Sequence, residues 1–103
     1  MARLSVVSWR DIPAQVIVKQ GRRTAKVPLS GRFQCAIDRA AMRAGKGGSD
    51  AYLADWKRSE SRDCSDDLKH EAQAEAARLE QCYGDEELRQ LVRQKGLAVS
   101  GND

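Results

Sequence analysis

The side chains best suited to chemistry gather in the second half of the chain: Cys64, the pair Asp66-Asp67, His70 and Cys82. Cys64 stands just ahead of a helix start, where the helix dipole can stabilise a thiolate. Asp63, Asp66 and Asp67 surround it with negative charge, which opposes ionisation, so it reads as an ordinary or half-buried cysteine. Cys64, His70 and Cys82 match no compact zinc-ligand spacing, and no serine or cysteine lies one helical turn from His70 to build a triad. Asp66 and Asp67 suit the first turn of a helix better than a pair of acid catalysts. Gly45-Lys46-Gly47-Gly48-Ser49 has the composition of a phosphate loop without its G-x-x-x-x-G-K-[ST] pattern, and no strand precedes it. It reads as a hinge. Catalysis is therefore the less favoured reading, and no metal or cofactor is expected.

Charge is the feature that remains. Residues 1–46 carry ten Lys/Arg against two acids, whereas residues 47–103 carry eight against thirteen. Such polarity makes a basic surface for acidic proteins, phosphates or nucleic acid, unless the halves neutralise each other in the fold. Arg10, Arg22, Arg23, Lys26, Arg32, Arg39 and Arg43 are the candidate binding residues. The alternative is that they form a solvated basic face. They make one patch only if the helix carrying Arg39 and Arg43 turns toward the loop carrying Arg22 and Arg23, and only if Glu71, Glu75 or Glu80 does not pair with them.

The elements that must position these groups follow from periodicity. Residues 4–9, 15–19 and 23–28 alternate as strands, with Pro13 breaking the first two apart and Gln20-Gly21 supplying a hairpin turn. Pro28 cannot donate to a ladder, which places the third strand at an edge. Ser30 is a suitable N-cap for a helix to about Ala44, with Phe33, Ala36, Ile37, Ala40, Ala41 and Ala44 on its buried face. Residues 51–58 alternate as a fourth strand, although Ser49-Asp50 equally suits the start of a short helix. Ser59–Asp63 reads as a polar loop. A helix capped by Ser65-Asp66-Asp67 then carries Leu68, Ala72, Ala76, Leu79 and Tyr83 on one stripe. Gly84 ends it, and a last helix with Leu88, Leu91 and Val92 closes at Gly96. Trp9 and Trp56 are assigned to the core; exposed together, they would instead mark an interface.

A chain of 103 residues is one domain, here drawn as 1–96 with a frayed tail over 97–103. No run approaches the roughly 18 to 20 apolar residues of a membrane span, and no secretory leader is visible. Three widely spaced cysteines do not form a disulfide framework, so a cytoplasmic location is expected.

Three stretches carry a resemblance. Trp9-Arg10-Asp11-Ile12-Pro13-Ala14-Gln15-Val16 is followed by Phe33 with Ala36-Ile37-Asp38-Arg39-Ala40-Ala41-Met42-Arg43-Ala44-Gly45, then by Asp50-Ala51-Tyr52-Leu53 with Trp56 and Arg58. Over about residues 3–83 the chain resembles a small bacterial family catalogued as virulence factor, of alphaproteobacterial type. That label implies a phenotype and brings no catalytic residues. The resemblance also implies, as an alternative, an accessory subunit of a folate- or corrinoid-dependent methyl-transfer system.

The fold expected is α+β: a three- or four-stranded antiparallel sheet with helices on one face, in the order β-β-β-α-β-α-α. The function expected is a non-enzymatic interaction module that binds a protein partner or anionic ligand, with nucleic-acid binding as the alternative.

Overall fold

A concentration of β-branched residues draws the first part of the chain into an antiparallel meander of β1 (Ala2–Trp9), β2 (Ile12–Gln20) and β3 (Arg23–Pro28). The computed structural model describes residues 2–46 and 49–98. Gly21, at φ +60°, supplies the left-handed step of the two-residue hairpin between β2 and β3. The remaining elements are α1 (Gly31–Arg43), α2 (Ser49–Ala54), β4 (Trp56–Arg58), β5 (Arg62–Cys64), α3 (Leu68–Cys82) and α4 (Asp85–Arg93).

The sheet runs β3-β2-β1-β4, with β5 beside the other half of β1. β4 pairs with Val7–Trp9 and β5 with Ala2–Leu4, so the two short strands share one place in the sheet. Between them Ser59 exchanges two bonds with Val6: its N–H donates to the Val6 carbonyl at 2.9 Å, and its Oγ accepts from the Val6 N–H at 2.9 Å. The α+β architecture is thus as the sequence predicts, with corrections of detail. Pro13 does not break the strand but lies within β2, opposite Ser8 beside an irregularity of register. Residues 51–58 are divided between a helix and a strand, and Arg62 and Asp63, at the end of the expected polar loop, join Cys64 in a fifth strand.

Leu4, Val16 and Val18 join Leu68, Ala72, Ala76 and Leu79 of α3 in one core cluster, which also holds Phe33, Ile37 and Ala40 of α1. The α1 helix packs chiefly on α4 and more lightly on β2. The other sheet face presents Arg3, Ser5, Ile17, Lys19 and Lys26. Ile17 and Ser5 are buried there yet lie outside the helix-packed cluster. Glu75 interrupts the apolar stripe of α3 and is buried itself. Arg62 of β5 reaches it at 3.2 Å and Arg78 at 2.6 Å. The Arg78 bonds hold the Glu75 carboxyl below the usual carboxylate range, despite a burial that acts in the opposite sense.

The Trp9–Ile12 turn is the structural knot of the domain. Trp9 is fully buried, stacks on Tyr52 at 5.9 Å, and donates its indole N–H to the Tyr52 carbonyl at 2.8 Å. Arg10 adopts φ +50°, a strained backbone for a non-glycine residue. Its side chain bonds Asp55 at 3.1 Å and the Lys95 carbonyl at 2.7 Å while lying over the Trp9 ring. The Asp11 N–H donates to the Gly96 carbonyl at 2.8 Å, and its carboxylate accepts from Lys57 and the Ala98 N–H. One four-residue turn therefore ties together β1, β2, α2, β4 and the segment after α4.

Ser30 occupies the N-cap position of α1 without a capping bond; its hydroxyl donates to Glu80 instead. At the other end Lys46 N–H donates to Ala41 and Gly45 N–H to Met42, a closure that Gly45 permits at φ +73°. Asp67 caps α3 by accepting the His70 N–H. The expected flexible Gly47-Gly48 link and residues 99–103 of the expected tail lie outside the described residues.

Candidate binding cleft between the first and last helices

Residues 39, 42 and 43 of α1 share one helical face, as do 89, 92 and 93 of α4, because three- and four-residue steps return to the same side. With α1 packed on α4, these faces border a cleft of about 760 Å³ lined by Asp38, Arg39, Met42, Arg43, Arg89, Val92 and Arg93. Met42 is 74% exposed there, the most exposed of the large hydrophobic side chains described. Arg89 and Arg93 share a single carboxylate, Glu86, at 3.0 and 3.4 Å. Among the described residues, Arg39 and Arg43 make no ion pair. Asp38 accepts a bond from Gln34. A second hollow continues along the seam past Cys35, Ala36 and Leu88, sharing Arg39, Arg89 and Val92.

The seven basic residues singled out from the sequence separate into three groups. Arg10 and Arg32 are occupied within the fold. Arg32 bonds Glu80 and Asp85, both at 2.9 Å, and the carbonyls of Glu80 and Tyr83, so Glu80 quenches it. The carboxylate bonds raise its guanidinium pKa further. Arg39 and Arg43 line the cleft. Arg22, Arg23 and Lys26 are exposed around the β2–β3 hairpin.

The second and third groups do not converge. Lys46, just past α1, bonds Asp55 at 3.3 Å, and Asp55 bonds Arg10, which anchors that end of α1 near the β1–β2 turn. The β2–β3 hairpin lies at the far end of β2, a nine-residue strand spanning about 30 Å at roughly 3.3 Å per residue.

Arg89, Arg93 and Met42 were not among the sequence candidates. The signal for the two arginines was present in their four-residue spacing on an amphipathic helix, but they sit in the acidic half of the chain. Among the described residues, no serine, histidine, lysine or cysteine lines the cleft. Guanidiniums such as these can bind carboxylates or phosphates through paired N–H donors, and a methionine adapts to an apolar neighbour. Cys64 lies elsewhere, half-buried, with its thiol pKa pushed up by burial and then by Glu71. Among the described residues, no three His, Cys, Asp or Glu side chains come together as a metal-ligand group. No described helix is long and apolar enough to cross a membrane.

The fold and the cleft together define a small α+β domain with a cationic groove between two helices. Residues 7–92 match the family described as Virulence factor, and the chain belongs to it. The matched span takes in the Trp9–Ile12 turn and every cleft residue except Arg93. Neither the comparison with curated proteins nor that with solved structures returned a match.

Proposed function

We propose that this virulence-factor-family domain is a non-enzymatic binding module that captures an acidic segment of a partner protein in the α1–α4 cleft. The observation that carries this reading is the placement of exposed Met42 between Arg39 and Arg43, two guanidiniums without internal carboxylate partners among the described residues. A partner helix bearing carboxylates and one apolar residue matches that arrangement, because charge steers the encounter and the apolar contact retains it. A nucleic-acid ligand has less in its favour, since the cleft presents Met42 and Val92 but no aromatic ring on which a base would stack.

The test is calorimetric titration with a Glu- and Leu-bearing amphipathic helical peptide at several salt concentrations. Wild-type affinity falls as salt rises, since exposed charges are screened within about 10 Å at 0.1 M. The double reversal Arg39→Glu with Arg43→Glu keeps the wild-type melting temperature and weakens binding about tenfold or more. Equal binding by the double reversal and the wild type refutes the assignment.

A further inference from the structure

We propose that the outer edge of β3 accepts an extended acidic segment of another protein as an added strand, at a surface separate from the α1–α4 cleft. β3 ends the strand order, and no described residue pairs with its outer side. The two-residue turn closes on the Gln20–Arg23 pair, and hydrogen-bonded pairs alternate along an antiparallel ladder. Thr24 and Lys26 therefore direct both N–H and C=O away from β2. Pro28, next in that phase, has no N–H, which limits the available ladder to the stretch before it.

A trough of about 650 Å³ runs along this edge, with α3 as its second wall. Ala25, Val27 and Leu68 form its apolar floor, and Arg23, Lys26 and Lys69 its cationic rim. Among the described residues no acidic side chain lines it, and none of the three cations makes an ion pair.

Charge selects the occupant. A second copy of β3 would set Arg23 and Lys26 against their own kind, a device that discourages edge-to-edge association. An acidic strand meets them favourably. Alternation gives the pattern: side chains turned toward α3 meet Ala25, Val27 and Leu68, and those turned toward the open face meet Lys26. The segment recognised is thus one in which acidic and apolar residues alternate, held by backbone bonds and sorted by its side chains.

The experiment is a titration of isotopically labelled protein with the blocked hexapeptide Glu-Val-Glu-Val-Glu-Val, followed by amide NMR. Saturable shifts and slowed hydrogen exchange at the Thr24 and Lys26 amides are expected. The same peptide N-methylated on the residues facing β3 should bind at least about tenfold more weakly, because its ladder donors are gone. Lys69→Glu lies on α3, outside the sheet, and should lower affinity severalfold without altering the melting temperature. Absence of shifts at millimolar peptide overturns the proposal, as does equal binding by the methylated peptide, which would leave only charge attraction. Shifts confined to Arg39, Met42 and Arg43 overturn it too, by assigning the peptide to the other surface.

Discussion

Gly96→Ala tests how tightly the Trp9 knot is built. Gly96 is buried at φ +84°, its N–H donates to the Leu91 carbonyl at 2.7 Å, and its own carbonyl accepts from Asp11. A β-carbon there would lie 2.8 Å from Cζ3 and 3.2 Å from Cε3 of Trp9, whose ring is fully buried. Two penalties add. The left-handed backbone costs an L-residue about 1–2 kcal/mol. Forcing a methyl into packed surroundings costs a further 1–3 kcal/mol, roughly. The sum, about 2–5 kcal/mol, is a large part of the 5–15 kcal/mol typical of a domain.

Gly45→Ala is the matched control, because Gly45 also follows a helix end at φ +73° but has nothing within 4 Å of the added carbon. It should lose only the first penalty. Equilibrium urea unfolding, followed by far-UV circular dichroism and tryptophan fluorescence, reads the difference as a shift in midpoint at unchanged slope. Equal losses in the two variants would show that Trp9 does not press on Gly96, and the account of the knot would fail.

Ile37 is fully buried in the cluster shared with Leu79, so Ile37→Asp should remove most of the stability; a soluble, normally melting protein would contradict the packing of α1. The carboxyl pKa of Glu75 is lowered in the folded state, so its contribution is present above the ordinary carboxyl pKa near 4.3 and is lost as pH falls through the lower folded value. Glu75→Gln should reduce stability at pH 7 by about 1 kcal/mol, given how exposed Arg62 and Arg78 are, and flatten the acid limb of a melting-temperature profile. An unchanged acid limb would show that Glu75 is not among the groups that set it.

The sequence made the meander and its hairpin legible because Val16 and Val18 fall on one face and Gln15, Ile17 and Lys19 on the other, next to an unambiguous Gln20-Gly21 turn. The buried face of α1 was equally plain. β5 was not, since Arg62-Asp63-Cys64 shows no run of apolar alternation: its inward side chains are Cys64, half-buried against the core, and Arg62, which bonds buried Glu75. The apparent alternation of Tyr52, Ala54 and Trp56 misled for a different reason. Tyr52 packs on both Trp9 and Trp56 from the end of a short helix, which a period-two pattern does not describe. For the basic residues, the partners decide the role, and they lie far away in sequence. Arg10 meets Asp55 and Arg32 meets Glu80, so neither pairing shows in local spacing. Arg39 and Arg43 acquire their neighbours Arg89 and Arg93 only when α4 docks.

The split neighbour of β1 also bears on how the chain is made. β1 is a central strand, yet one edge waits for β2 and the other for residues 56–64, with Ala2 finally opposite Cys64. A ribosome adds about 5–20 residues per second, so the second edge of β1 stays open for seconds after the meander has emerged. During that interval the inner face of Leu4, Val16 and Val18 also lacks α3, which is synthesised later still. The nascent chain therefore passes through a stage with a bare apolar sheet and an unpaired inner strand, the form most prone to self-association. Release from that stage comes only when Trp56–Cys64 closes the edge and Leu68–Cys82 covers the face.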